Sequence, residues 1–429
     1  MDEEIAVVGL PKLDLSSVAT EKDEKTTKEK TANILWGLDE DQKAILMDYY
    51  GFLLKLEKYD SFYLPKHKDD DIHPLVYYLR WTFIGSVIAL AIYQTAYTFF
   101  YVFRHADYSA MTALTIVELN WSFQAILSTF FILHWKSKNY FRDLLQVTHK
   151  VNKSASHEEA KTWIYFVLKI TLGLSITVFI VALFTIFSGY SEYTSMLDTK
   201  AMMGYGSEKL IPLHIFIFAY TFIVWIDCMS HYTMYTIMVY FESEYFNRQL
   251  ATVGKNGRET GEELLEFYLK HCQLANVIYQ LDRTFEVYTF AMIGSNIPTT
   301  IFSLLAFFMN LRVSWVAAVF TFPSCIVCVM SLIGLTAVPA KLHASVARVE
   351  KILYSNKSIW TPFCEKTYQI AQVFITHVNQ TNLGVSVWGF AVVSKPLILT
   401  TISATITYLS FILQLKADIV PVGNSTLLT

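Results

Sequence analysis

Charge is scarce in this chain: Asp, Glu, Lys and Arg make up 17% of its 429 residues, where soluble proteins carry about 25%. The net charge of −3 offers no basic surface for a nucleic acid, and none is expected as a partner. Cysteine is sparse, with five residues (Cys228, Cys272, Cys325, Cys328 and Cys364). None lies in a segment expected outside the cell, so no extracellular disulfide is expected. The amino terminus lacks a basic stretch followed by an apolar one, so no cleaved signal peptide is expected. The first membrane span is expected to act as its own signal. There is no Gly-rich phosphate loop and no nucleophile elbow, so no enzyme signature stands out. Asp227, Cys228 and His231 lack a fourth ligand for a metal, and no cofactor is expected. No internal repeat is visible, which argues against transporters built from repeated halves.

What the chain has in abundance is apolar and aromatic side chain: 53% hydrophobic residues, with 31 Phe and 26 Tyr. Seven long apolar stretches sit near 75–103, 110–135, 162–188, 212–240, 284–311, 314–339 and 396–415. About 20 helical residues cross the ~30 Å of bilayer hydrocarbon. A spanning backbone must satisfy its own hydrogen bonds, so each stretch reads as a helix.

Lys and Arg set the orientation. Apart from Arg104, Lys200, Lys209, Arg312 and Lys416, and three at or within spans (Arg80, Lys169, Lys395), all lie on one side. They fall in the amino-terminal tail and in the connections between spans 2 and 3, 4 and 5, and 6 and 7. By the positive-inside rule the amino terminus is cytoplasmic, and seven spans put the carboxyl terminus outside. The sequon at Asn424 then lies outside, whereas those at Asn152, Asn356 and Asn379 lie inside and should be unmodified.

The expected fold is an all-α membrane protein with seven transmembrane helices, a cytoplasmic N-terminus, an extracellular C-terminus and cytoplasmic helical extensions. Residues 1–36 read as a disordered tail and 37–72 as a cytoplasmic amphipathic helix. The receptor domain covers 73–415, and 416–429 form an outer tail. Leu264, Phe267, His271, Leu274, Ile278, Leu281 and Phe285 step by three and four, a heptad seam broken only by the histidine. Val346, Val349, Leu353, Tyr368, Ala371, Phe374, Ile375 and Val378 show similar spacing. Segments 241–285 and 340–394 are expected to pack together below the membrane.

The last span, 396–415, is free of charge. Thr400, Ser403, Thr407, Ser410 and Gln414 recur at steps of 3, 4, 3 and 4, forming one polar stripe. Hydroxyls and an amide in that register suit a helix that lines water. The alternative is that Ser and Thr bond to their own backbone or hold neighbouring helices. One helix cannot enclose a pore, so a pore-lining stripe implies several copies around an axis.

Polar groups within other spans are candidate ligand contacts, because they are costly in lipid. These are Tyr93, Gln94 and Tyr97 in span 1; Glu118, Trp121 and Gln124 in span 2; Trp225 and Asp227 in span 4; Thr300 in span 5; and Trp315 in span 6. Asp227 and His231, four residues apart, can meet. Aromatic faces with hydrogen-bonding groups suit a sugar or an aromatic compound. The bland alternative is a satisfied network that holds the helices together.

Thr407-Tyr408, a hydrophobic run, then Gln414-Leu415 resembles the signature of the insect gustatory receptors, with Leu415 where the family usually has Phe. The upstream Gly389-Phe390 is similar to a pair the family carries before its last span. The resemblance implies a ligand-gated, nonselective cation channel, built as a tetramer with or without a related co-receptor. Span 7 would line the pore, the inner helices would form an anchor, and a small tastant such as a sugar would bind in the outer halves of spans 1 to 6. Odorant receptors share the fold. Alternatives are a light- or peroxide-sensing channel of the nematode branch, and a seven-span receptor or transporter without a pore. The expected location is the plasma membrane.

Overall fold

The structure is a computed structural model that describes residues 74–419 except 106, 108, 139, 152–156, 188–204, 256–257 and 314. The expected tail 1–36, the amphipathic helix 37–72 and most of the outer tail 416–429 lie outside the described residues.

The described chain is helical: α1 (Pro74–His105), α2 (Ala110–Ser137), α3 (Tyr140–Val151), α4 (His157–Phe187), α5 (Ile211–Leu250), α6 (Thr260–Val313), α7 (Trp315–Ser355), α8 (Lys357–Trp360), α9 (Glu365–Gln380) and α10 (Lys395–Ile419). A 3₁₀ turn, Glu208–Leu210, precedes α5. Seven of these helices (α1, α2, α4, α5, α6, α7 and α10) are long and apolar enough to span a membrane. Each contains or closely matches one expected span.

Three helices overshoot the bilayer. At 1.5 Å per residue, the 54 residues of α6 reach about 80 Å, far beyond the ~30 Å of hydrocarbon. The excess is the heptad seam. Leu264, Leu274, Ile278, Leu281 and Phe285 are all buried, and so is His271. They pack with Val349 and Leu353 of α7 and Ala371 and Phe374 of α9, all fully buried. Apolar burial at about 25 cal/mol per Å² therefore continues past the membrane into a helical extension. Tyr368, included in the expected seam, is exposed instead and packs edge-on against Trp360.

Polar hooks fix the helices to one another. Asn247 Nδ2 of α5 donates to the Ser345 carbonyl of α7 at 2.8 Å, and the Ser243 and Ser345 hydroxyls are 3.0 Å apart. Trp135 Nε1, at the end of α2, donates to the Thr284 carbonyl of α6 at 2.9 Å. Its ring packs edge-on against Phe285 and Tyr288. α3 inserts Phe141 under this cluster, stacked on Tyr235 and His231 of α5.

The connection from α9 to α10 is a short hairpin, bridged between Ser386 and Val392. Val387 N–H donates to the Ala391 carbonyl at 2.8 Å and Val393 N–H to the Val385 carbonyl at 2.8 Å. Gly389 closes the turn at φ +71°, where a side chain would be strained, and its N–H donates to Ser386 Oγ at 3.0 Å. Two bonds hang the hairpin on α6. Asp282 Oδ1 accepts from Ser386 N–H at 2.6 Å, and the Glu286 carbonyl accepts from Trp388 N–H at 3.2 Å. The Gly389-Phe390 pair thus sits on the link that feeds the chain into the last helix.

Candidate functional site

α10 packs on α6, with a smaller contact to α7. Leu409 is buried against Leu305, Ala306 and Met309 of α6. Thr401 and Thr405 are buried too, and bond back to Leu397 and Thr401 carbonyls. The hydroxyls that face the neighbouring helices are therefore these two, outside the stripe. Thr400, Ser403, Thr407, Ser410 and Gln414 are all exposed on the side turned away from the rest of the chain. Thr400 and Thr407 bond back to the Pro396 and Ser403 carbonyls, which leaves each oxygen free to accept a further bond. Tyr408 is exposed beside the stripe, and Leu415 lies in the last turns of the helix.

The other candidates divide between two places. One group gathers near the end of the bundle that carries the α1–α2 turn. Glu118 of α2 and His214 of α5 are each 3% exposed, and Oε1 lies 3.3 Å from Nε2. Tyr205, just before α5, packs edge-on to His214 and stacks on Tyr93 of α1 at 5.8 Å between centroids. The Tyr205 hydroxyl donates to the Leu90 carbonyl at 3.5 Å. Gln94 is buried, whereas Tyr97 is half-buried, its ring stacked on Tyr101. Glu118 Oε2, His214 Nδ1 and Gln94 Nε2 are buried and have no hydrogen-bond partner among the described residues. Above them, between the ends of α1 and α2, opens a cleft of about 170 Å³ lined in part by Tyr101, His105, Asp107, Thr112 and Thr115. The Ser109 and Thr112 hydroxyls both donate to Asp107 there, holding its carboxyl below the usual carboxylate range.

A second group lies deeper. Trp121 is edge-on to Phe222, which in turn packs on Trp225. Gln124 Nε2 reaches Thr299 Oγ1 of α6 at 3.4 Å, and Thr300 bonds back to the Asn296 carbonyl. Asp227 pairs with His231 at 3.6 Å, next to Phe141. Sixteen helical residues from Ile211 to Asp227 amount to about 24 Å, so this pair sits toward the far end of the span. Trp315 joins neither group: it is 72% exposed at the start of α7.

His214 and Tyr205 are the site residues that sequence reasoning passed over. His214 carried the same signal as His231, a histidine within an apolar run. Tyr205 lies between spans, where nothing in the sequence marks it. Among the described residues no group of three or more His, Cys, Asp or Glu is placed to hold a metal ion.

The fold is similar to that of solved chemoreceptors. The insect olfactory receptor OR5 from Machilis hrabei aligns with a TM-score of 0.60 at 11% identity, covering 86% of this chain and 100% of that one. The same receptor in complex with eugenol aligns with a TM-score of 0.62 at 11% identity over the same shares. At that identity the likeness speaks for the fold. No curated protein sequence matches the chain. The family described as 7tm Chemosensory receptor matches residues 72–418, most of the chain. With seven membrane-spanning helices and this family match across them, the chain is a multi-pass membrane protein that belongs to the seven-transmembrane chemosensory receptor family.

Proposed function

We propose that the chain is a ligand-gated, nonselective cation channel of the gustatory type, assembled as a homotetramer in the plasma membrane. The observation that carries the reading is the polar stripe on α10. Thr400, Ser403, Thr407, Ser410 and Gln414 point away from their own subunit, while Thr401, Thr405 and Leu409 hold the helix to α6. Several copies around an axis would turn that stripe inward, onto water. The stripe bears no charge, so a lining of hydroxyls and an amide would replace part of an ion's hydration without strong selectivity.

In this reading the amino terminus is cytoplasmic and the carboxyl terminus outside, which the distribution of Lys and Arg supports. Residues 241–285 and 340–394 form an anchor that joins subunits below the membrane. A small tastant such as a sugar binds at the opposite end, near Gln94 and Glu118. The complex of OR5 with eugenol supports a small organic molecule as the stimulus in this fold.

The test is current through single channels in cells expressing this chain alone, with Gln414→Ala beside the wild type. The amide near the outer mouth should change conductance or permeability ratios when removed. Unchanged permeation with normal surface expression would place the pore elsewhere, and an absence of unitary current would remove the channel reading.

A further inference from the structure

Arg80 is a charge within a membrane span. It lies six residues after the start of α1 at Pro74, about 9 Å along the helix. Its side chain is part-buried, and Nη1 is buried with no hydrogen-bond partner among the described residues. Asp227 of α5, a helix that packs on α1, pairs with His231 at 3.6 Å. A guanidinium is always charged and carries five donors in a planar fork, so at the edge of a bilayer it is costly unless an acceptor meets it. The rings around it mark its depth. Tyr77 packs edge-on against Tyr78 and Trp81, and Tyr78 and Trp81 are exposed. Such rings gather at the level of lipid headgroups. α1 and α2 are packed neighbours joined by a short turn. Arg80 precedes the end of α1 at His105 by 25 residues, and Lys136 follows the start of α2 at Ala110 by 26, so the two stand at one level. Lys138, which caps α2, is exposed just beyond.

We propose that Arg80, together with Lys138, binds the phosphate of a membrane phospholipid at the cytoplasmic face, with a preference for an anionic headgroup. Rotation about the last bonds of this long, part-exposed side chain carries the fork to the headgroup region, as long cations near helix ends reach out of hydrocarbon. Two parallel N–H groups then meet two phosphate oxygens, and Nη1 gains the acceptor it lacks against the protein. The Lys138 ammonium adds a point charge at the same level, which attracts a headgroup of net negative charge such as phosphatidylserine. Tyr78 and Trp81 lie against the upper part of the acyl chains. A zwitterionic lipid offers the same phosphate and is held by Arg80 alone. Phosphates line both faces of a bilayer, so only the headgroup preference rests on the cytoplasmic orientation of this end. The site lies on α1 and the end of α2, whereas α10 packs on α6 and α7, so it stands whether or not the chain conducts ions.

The experiment uses the purified full-length protein in a neutral detergent, titrated with phosphatidylserine, phosphatidylcholine or diacylglycerol, and counts retained lipid by native mass spectrometry. Each subunit should retain one phosphatidylserine most tightly and phosphatidylcholine less so. Diacylglycerol, which lacks the phosphate, should not be retained. Arg80→Gln should weaken retention of both phospholipids about tenfold or more, the range for losing a hydrogen bond to a charged group. Arg80→Lys keeps the charge without the fork and should fall between. Lys138→Gln should weaken phosphatidylserine about fivefold and leave phosphatidylcholine unchanged, and it carries the test if the Arg80 variants do not fold. Lys209→Gln, in the exposed turn before α5 at the other end of the bundle, is the control and should behave like the wild type. Diacylglycerol retained as well as phosphatidylserine, Arg80→Gln or Lys138→Gln binding like the wild type, an equal loss in Lys209→Gln, or displacement of the lipid by millimolar inorganic phosphate would overturn the proposal.

Discussion

His271 should make this protein lose stability in acid, by an amount the structure allows one to work out. It is fully buried in the seam of α6, with the rings of Phe246, Phe374 and His377 around it at 5.1 to 5.7 Å. Among the described residues neither ring nitrogen has a partner, and His377 Nε2 opposite has none either. Burial, and then the neighbouring His377, push its pKa down from 6.5 to about 4. The folded state therefore holds the imidazole neutral, while the unfolded chain takes up a proton as pH falls through about 6.5. Stability from this group is full above that pH, declines as pH drops, and is lost by about pH 4. Between about pH 7.5 and pH 5 the linkage amounts to about 2 kcal/mol, roughly 2 °C in unfolding temperature for a chain of this length. Replacing the ring by a leucine removes both the titration and the orphaned nitrogens. The assay is thermal unfolding in nanodiscs at the two pH values, wild type against His271→Leu. The wild type should lose about 2 kcal/mol more than the variant on acidification. At about pH 7.5 the variant should be as stable or slightly more so, because unpaired buried polar atoms destabilise. Equal losses in the two proteins would refute the reasoning.

The hairpin before α10 offers a second prediction. Asp282→Ala would strip the acceptor from the buried Ser386 N–H and should cost about 1 to 3 kcal/mol of unfolding stability, whereas Asp282→Asn keeps a carbonyl acceptor and should cost less. Denaturation of the two variants side by side checks it, and an equal cost would mean that the hydrogen bond contributes nothing specific.

The helices were legible in the sequence because each obeys a rule about its own stretch of chain. Span 1 was expected at 75–103 and is Pro74–His105; span 7 was expected at 396–415 and is Lys395–Ile419. The heptad steps from Leu264 to Phe285 foretold that α6 would run on past the membrane, because burial on one face follows the 3.6-residue period wherever a partner exists. Tyr368 kept the spacing but not the burial, since α9 turns that edge outward.

The candidate site was legible only in its parts. Glu118 and Gln94 announced themselves as polar residues in apolar runs. That they share one neighbourhood, and that His214 and Tyr205 complete it, depends on how α1, α2 and α5 sit against one another, which no local pattern encodes. The same holds for Trp225 and Asp227. They are conspicuous in sequence yet lie deeper, among the packing around Phe141 and Phe222. On α10 the spacing marked the polar stripe, but it could not tell that Thr401 and Thr405 would be the buried hydroxyls, nor that the apolar residues Leu399, Ile402, Ile406 and Phe411 would be as exposed as the stripe.

The central claim is that the stripe of α10 faces water inside an assembly, and cysteine accessibility tests it most directly. Cysteines placed singly at Ser403, Thr407, Ser410 and Gln414, in a background with exposed Cys364→Ser, should react with a water-soluble thiosulfonate during stimulation and reduce the current. Cysteines at Thr401 and Thr405, packed toward α6, should be untouched. Reaction at Thr401 and Thr405 with silence along the stripe, or no block at any position, would contradict the account.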